Sequence, residues 1–318
     1  MQSLSVVVPL YNEQDNVRPL MQALLPVLRD LGMPYEVILV DDGSTDRTLE
    51  RLLELSEPHV VVLSLRRNFG QTAALAAGFD HAQGDVVITM DGDLQNDPRD
   101  IPRLLELIRQ GYDLVSGWRK QRKDPWLSRR LPSQVANWLI SRVTGVRLHD
   151  YGCSLKAYRK DVAKNLRLYG EMHRFIPAVA SWYGVQVAEV QVAHHPRRRG
   201  KSKYGLTRTV KVLLDLVTVK FLQSFSTKPI QFFGPMGLAS ALGGFAISLY
   251  LTGRKLLLGE SIGGRPLLLL GVLLIIVGVQ LVGMGLLGEM LVRVYHESQR
   301  KPIYTLKQVV GTGLREKR

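Results

Sequence analysis

The chain predicts an α/β domain built on a parallel sheet, followed by a hairpin of two membrane-spanning helices. Three observations carry that expectation. Over roughly the first 125 residues, short β-branched runs alternate with helix-period segments, the pattern of a parallel sheet covered on both faces. Polar residues cluster just after the predicted strand ends, where open α/β sheets bind ligands. Near the C-terminus, two stretches of helix length carry no charge.

Taken in order, Leu4–Leu10, Glu36–Val40, Val60–Leu65 and Asp85–Met90 read as buried strands. Asn16–Leu31 and Asp46–Ser56 carry apolar residues at helical spacing and supply the first two crossovers. From about 126 to 228 the pattern loosens. Ser128–Thr144 and Thr207–Phe225 set Lys and Arg beside Leu, Val, Trp and Phe, as do basic amphipathic helices at a membrane interface. A surface helix packed on the core is the alternative.

Pro229–Leu251 and Pro266–Gly288 are the uncharged stretches, each close to the ~20 residues needed to cross a hydrocarbon core. Small residues at 234, 237, 239, 240, 241, 243 and 244 suit close helix contact. The connection Arg254–Arg265 is too short for a domain, so both ends of the hairpin fall on one side. Basic residues concentrate before position 229 and after 292, which places both termini in the cytoplasm. The expected organisation is a catalytic domain over 1–228, a hairpin over 229–292 and a basic cytoplasmic tail over 293–318.

Composition agrees. Lys and Arg number 42 against 28 Asp and Glu, a formal charge of +14 that favours anionic partners, yet 46% of residues are hydrophobic. The single cysteine, Cys153, excludes an internal disulfide, and no Cys/His group has zinc-ligand spacing. The N-terminus lacks a basic segment followed by an apolar one, so it does not read as a signal peptide. The chemistry near it is expected in the cytoplasm.

The sharpest local signal is Asp91-Gly92-Asp93 at the end of the fourth strand. Two carboxylates around a glycine can hold a hard divalent cation whose other ligands come from substrate phosphates. A solvated acidic loop is the plain alternative. Three further loops end strands on the same edge: Pro9 to Glu13, Asp41-Asp42-Gly43-Ser44 and Arg67-Asn68-Phe69-Gly70. Pro9 and Tyr11 offer a flat wall for a base, and Asp41 an acceptor for base or ribose. Ser44 or Asp46 would also cap the next helix.

In this order, V-x-P-x-Y-N-E, V-D-D-G-S-x-D, R-N-x-G and D-x-D-L-Q resemble glycosyltransferase family 2, and the likeness covers about residues 3 to 228. Within the family the chain is most similar to polyisoprenyl-phosphate glycosyltransferases, such as dolichol-phosphate mannose synthase and the bactoprenol glucosyltransferases. The resemblance implies a GT-A fold, Rossmann-like, binding a nucleotide sugar. It implies that Pro9, Tyr11, Glu13 and Asp41 hold the nucleoside. Asp91 and Asp93 would serve the donor and its Mg²⁺ or Mn²⁺, with Gln95 touching metal or phosphate. Arg119, in S-G-W-R, matches an arginine facing the diphosphate or the acceptor phosphate. Arg197 and Lys203, in R-R-R-G-K-S-K, match the family's R-x-x-G-x-S-K. Arginine grips a phosphate with two bonds and lysine as a point charge; a juxtamembrane stretch that only attracts anionic lipid is the alternative.

Many relatives carry lysine at position 71, where this chain has Gln71, so no role is assigned there. Asp150 either faces the acceptor or braces its loop. His173, His194 and His195 need no catalytic role. The resemblance implies inverting transfer of a hexose, glucose from UDP-glucose, onto polyprenyl (undecaprenyl) phosphate at the inner, or plasma, membrane, with the small-residue helices allowing a homo-oligomer. Two other readings stay open: a processive polysaccharide synthase of the same fold, although Q-x-x-R-W is missing from the chain, and a non-enzymatic lipid- or nucleotide-binding membrane scaffold.

Overall fold

In the computed structural model, the described residues are 2–55, 57–120, 141, 145–166, 168, 173, 175–181, 184–196, 230–259, 261, 266–298, 303–311 and 313–314. They fall into two compact units. One takes in the chain up to Val219 together with Pro302–Arg318; the other is Lys220–Lys301.

The first unit is an eight-stranded mixed sheet in the order β7-β5-β6-β4-β1-β2-β3-β8. Its centre is the predicted parallel array: β1 (Leu4–Leu10), β2 (Tyr35–Asp41), β3 (Val60–Leu65) and β4 (Val86–Thr89). Crossovers are α1 (Val17–Asp30), α2 (Thr48–Leu53) and α3 (Gln71–His81). Alternation sorts the side chains into two layers. Val6, Val8 and Leu10 of β1 face a core shared with Leu20, Leu24 and Leu28 of α1. Ile101, Leu104, Leu105 and Ile108 of α4 (Ile101–Arg109) join the same layer. Val7 points to the other face, where α3 presses against it so closely that a Cβ at Gly78 would lie 2.2 Å from the Val7 side chain.

The flanks depart from the all-parallel expectation. β6 (Lys156–Arg159) runs antiparallel between β4 and β5 (Leu114–Trp118), and β7 (Val187–Gln191) lies parallel to β5. Short helices α5 (Lys160–Asn165) and α6 (Ile176–Ser181) link them. On the opposite edge, β8 (Leu306–Gly311) pairs antiparallel with β3. The segment read only as a basic tail therefore contains a strand of the catalytic sheet. It is pinned at both ends: the Tyr304 hydroxyl donates to Asp80 at 2.8 Å, and Leu314 N–H donates to buried Glu36 at 2.9 Å.

The second unit is a helical hairpin, α7 (Ile230–Leu258) and α8 (Pro266–Ser298). Both helices outrun their predicted spans: α7 continues through Arg254 and Lys255, which shortens the loop expected from 254 to 265. Gly237 and Gly244 of α7 meet Gly278 and Gly271 of α8. A Cβ at Gly244 would lie 2.4 Å from the Gly271 carbonyl oxygen, and one at Gly278 would lie 2.5 Å from that of Gly237. Backbones this close are what small residues permit between membrane helices. Leu238, Leu242, Phe245 and Leu249 of α7, with Leu269, Leu273 and Leu287 of α8, are left exposed. Each helix contains a segment long and apolar enough to cross a bilayer, Gln231–Leu258 and Pro266–Gly288.

Candidate active site

Because β1 to β4 are parallel, the loops after Leu10, Asp41, Leu65 and Thr89 share one edge of the sheet. The loop before antiparallel β6 and those after β5 and β7 reach the same edge. The predicted convergence is thus present, and four more segments reach the same edge: those three and, unforeseen, the start of β8, where Thr305 accepts from Arg66 N–H.

Side chains stitch the first two loops together. Asn12 adopts a left-handed φ of 53°, a conformation Asn tolerates better than most residues. Its Oδ1 accepts from Thr45 N–H at 2.8 Å, and its own N–H donates to Ser44 Oγ at 3.0 Å. Glu13 N–H donates to Thr48 Oγ1, and the Glu13 carboxylate accepts from Asn16 Nδ2, so this predicted nucleoside contact also ties its loop to α2 and α1. Asp46 accepts from Thr48 N–H at 2.9 Å, but the N-cap position of α2 is held by Arg47, so neither Ser44 nor Asp46 is its cap. Pro9 and Tyr11 are half-buried beside them.

Asp41 is buried and accepts from Ser44 N–H at 3.2 Å and Ser64 Oγ at 3.3 Å. Its neighbour Asp42 turns to the third loop and takes Phe69 N–H at 2.8 Å and Gly70 N–H at 2.9 Å. Burial pushes the Asp42 carboxyl up to about 6, although the two amide donors pull the other way. Between these loops Gly43 has a φ of 64°, and a Cβ there would lie 2.3 Å from the Arg67 carbonyl carbon. Only glycine fits that conformation against that wall.

The paired carboxylates sit in a tight turn after β4, with Leu94 at a φ of 64°. Asp93 accepts from Gln95 N–H at 3.1 Å, and Asp91 Oδ1 accepts from Gln71 Nε2 at 2.8 Å. Gln71 is the first residue of α3 and had been left without a role. The turn is anchored behind by Asn96, whose Oδ1 accepts from Asp91 N–H and Ser154 Oγ. The Gln95 carbonyl accepts from His195 N–H at 2.9 Å, in the segment after β7. Gly92 has a packing reason to be glycine: a Cβ there would lie 2.7 Å from the Leu10 side chain.

Arg119, expected to face a phosphate, is locked onto Asp150, with Nε at 2.7 Å and a terminal nitrogen at 2.9 Å. Burial disfavours the guanidinium charge, but the bonds and charge of Asp150 outweigh it, and Asp91 adds to them, so Arg119 stays firmly protonated. Of the two roles open for Asp150, bracing is the one visible here. Glu189 in turn accepts from the N–H groups of His149 and Asp150. Below the pair, buried Lys156 donates to the Cys153 carbonyl, and burial pulls its pKa down. His173 Nδ1 lies 2.9 Å from Thr72 Oγ1. Arg197 and Lys203, and the helices expected over 128–144 and 207–225, lie outside the described residues, apart from Ser141.

The donor set suits a hard divalent ion. Asp91 and Asp93 supply oxygen only, and Asp91 commits just one oxygen to Gln71. Among the described residues no cluster of three or more His, Cys, Asp or Glu is present. The arrangement matches a cation bound by one or two carboxylates and completed by substrate phosphates, rather than an all-protein cage.

An α/β sheet with two aspartates at its carboxyl edge agrees with the GT-A-type glycosyltransferase domain that the resemblance implied. Residues 5–167 match the Glycosyl transferase family 2 model, and the chain belongs to that family. It is 46% identical over 314 residues to a dodecaprenyl-phosphate galacturonate synthase of Rhizobium johnstonii, covering 96% of this chain and 92% of that protein. It is 42% identical to an undecaprenyl-phosphate 4-deoxy-4-formamido-L-arabinose transferase of Edwardsiella ictaluri, covering 97% and 94%. The fold is shared with glucosyl-3-phosphoglycerate synthase of Mycobacterium tuberculosis, solved with Mn²⁺ and UDP-glucose, at a TM-score of 0.55 and 19% identity over 70% of this chain and 79% of that one.

Proposed function

We propose that this glycosyltransferase moves a sugar from a nucleoside diphosphate onto polyprenyl phosphate at the membrane surface. The observation that carries the reading is the 46% identity to a dodecaprenyl-phosphate galacturonate synthase across 96% of the chain, hairpin included. The names of the curated relatives displace the glucose expected earlier. Galacturonate is the sugar we infer first, and 4-deoxy-4-formamido-L-arabinose, carried by the second relative, comes next.

Asp91 and Asp93 would hold Mg²⁺ or Mn²⁺, which supplies charge neutralisation for the departing diphosphate. Pro9, Tyr11, Glu13 and Asp41 would receive the nucleoside. An acceptor phosphate oxygen attacks the anomeric carbon as its bond to the nucleoside diphosphate breaks, which inverts that centre. The acceptor is already anionic, so no protein base is required, and positioning with charge stabilisation carries the rate. The Arg119–Asp150 pair keeps a fixed cation near Asp91. Arg197 and Lys203 would clamp the lipid phosphate.

The connectivity of the chain supports a membrane hairpin with both ends on the catalytic side. Ser298 ends α8, and Thr305 already lies on the site edge of the sheet. A chain that leaves one folded unit and returns to it crosses a bilayer an even number of times. The excess of Lys and Arg outside the hairpin favours the cytoplasm for that unit and for both termini.

The test is a donor panel of UDP-galacturonate, UDP-4-deoxy-4-formamido-L-arabinose and UDP-glucose with undecaprenyl phosphate, each with and without divalent metal. Metal-dependent lipid-linked product from one of the first two is expected. Product from UDP-glucose alone overturns the sugar assignment. No lipid-linked product from any donor overturns the reaction.

A further inference from the structure

In the sheet, β6 and β5 lie between β4 and β7, so no strand pairing joins the segments that follow β4 and β7. Polar contacts join them instead. The last bond of β7 to β5 is Val192 N–H to the Trp118 carbonyl at 3.0 Å. Beyond it, Ala193 N–H donates to Asp100 Oδ2 at 2.6 Å, and His194 forms a single antiparallel bridge with Asn96. His195 N–H donates to the Gln95 carbonyl, and Gln95 Nε2 donates back to the His195 carbonyl at 3.4 Å. The imidazole closes the joint, with Nε2 at 3.1 Å from Asp97 Oδ2. On one side, Gln95 N–H also donates to Asp93 of the proposed metal site. On the other, Arg197 follows His195 by two residues in the sequence and opens R-R-R-G-K-S-K.

The fold does not need the imidazole to balance charge. Asp97 is buried, and the Arg99 guanidinium already binds it through Nε at 3.0 Å and a terminal nitrogen at 2.6 Å. Arg99 first, and His195 after it, hold the Asp97 carboxyl well below the usual carboxylate range, although burial works against them. An ionised carboxylate only accepts hydrogen bonds, so Nε2 is a nitrogen of His195 that carries a proton. Without the imidazole, Asp97 would keep Arg99 as its partner. What would be released is the chain at His195.

We propose that the Asp97–His195 pair is a latch that positions the acceptor clamp, fixing the chain that enters Arg197–Lys203 against the turn carrying Asp91 and Asp93. His195 is then a positioning residue that acts on the lipid phosphate through Arg197. Holding two substrates in register is worth large factors, since small misplacements are costly. The proposal rests on Arg197 and Lys203 gripping the acceptor phosphate, as inferred above, and is independent of the sugar transferred.

The test compares the full-length wild type with His195→Ala, His195→Gln, Arg197→Ala and the His195→Ala/Arg197→Ala double variant. Steady-state transfer reads KM for undecaprenyl phosphate and for the donor, and native mass spectrometry reads undecaprenyl phosphate binding without turnover. His195→Ala should weaken both acceptor measures about tenfold, the low end for a bond to a charged group. Donor KM and half-saturating Mn²⁺ should stay within about twofold on that scale. His195→Gln, whose amide nitrogen can donate to Asp97, should restore most of the loss. Because His195 acts through Arg197, the double variant should bind acceptor no worse than Arg197→Ala alone. Unchanged acceptor binding in His195→Ala, an equal rise in donor KM, or losses that multiply in the double variant each overturn the latch. Unchanged acceptor binding in Arg197→Ala removes the clamp and the latch together, while lipid-linked product from the wild type would leave the reaction itself standing.

Discussion

The edge of the catalytic sheet and the apolar helical hairpin both depend on tightly placed glycines, but for different reasons. Gly43 is needed for a left-handed turn that packs against Arg67, in a region otherwise held by side chains bonding backbone amides: Asn12 to Thr45, Asp42 to Phe69 and Gly70, Asp46 to Thr48. Gly237, Gly244, Gly271 and Gly278 have ordinary helical surroundings and serve only to let two helices touch. The first region is specified by polar bonds of defined direction, the second by shape. Charge and hydrogen-bond changes should therefore damage the first, and added volume the second.

The largest effect is expected where polar specification meets chemistry. Asp93→Ala should lower transfer by ~10²–10³-fold, the scale for losing one group that stabilises developing charge. Circular dichroism and membrane insertion should be unchanged. Activity within a fewfold of wild type would remove Asp93 from the metal site.

Gly43→Ala and Gly278→Leu then separate the two kinds of glycine. Gly43→Ala should cost the catalytic unit ~2 kcal/mol or more through left-handed strain alone, with further loss from the contact with Arg67, seen as a lower midpoint of thermal unfolding. Gly278→Leu should cost the hairpin ~1–3 kcal/mol by overpacking. It would be read as weaker cross-linking between cysteines placed on α7 and α8, with the catalytic unit's thermal midpoint unmoved. Equal thermal shifts from both would break the distinction.

A subtler probe of the polar region is pH. Burial pushes the Asp42 carboxyl up to about 6, from an ordinary value of 3.8. Between those values the folded state binds more protons than the unfolded one, so this group's contribution to stability falls as pH rises. Thermal midpoints of wild type minus Asp42→Asn should therefore be most favourable to the wild type near pH 4 and decline towards pH 6 and above. A difference that grows with pH would mean that Asp42 is stabilised as the carboxylate.

The elements legible in the sequence were those whose signal is local. β1 and β3 coincide with their β-branched runs, and the hairpin announces itself by two uncharged stretches. β6 (K-A-Y-R) and β7 (V-A-E-V-Q) are four and five residues long and, unlike the equally short β4 (V-V-I-T), carry no β-branched run. β8, L-K-Q-V-V-G, shows no alternation and is held by its pairing with β3. The site was legible as a set of loops but not as a network. Asp91 and Asp93 stand out as a tripeptide after a strand, whereas the partnership of Arg119 with Asp150 spans 31 positions. Likewise, no local pattern announces that the first residue of α3 reaches Asp91.

That last contact yields the smallest effect, and the most specific. Gln71 Nε2 donates to Asp91 Oδ1 at 2.8 Å, while Asp42 holds Gly70 just before it. The second loop thus orients α3, and α3 orients a carboxylate of the proposed metal site. Groups that orient ligands are worth ~10–100-fold in metal affinity or activity when lost. Gln71→Leu removes the donor and keeps much of the volume, so it should raise the half-saturating Mn²⁺ concentration about tenfold, at the low end of that range, with little change in rate at saturating metal. Gln71→Lys should demand still more Mn²⁺, because an ammonium beside Asp91 opposes a cation there. Direct Mn²⁺ binding measured by electron paramagnetic resonance, with the nucleoside diphosphate present, checks the order wild type, Gln71→Leu, Gln71→Lys. If Mn²⁺ binds all three alike while activity falls, Gln71 supports the fold of α3 rather than the position of Asp91.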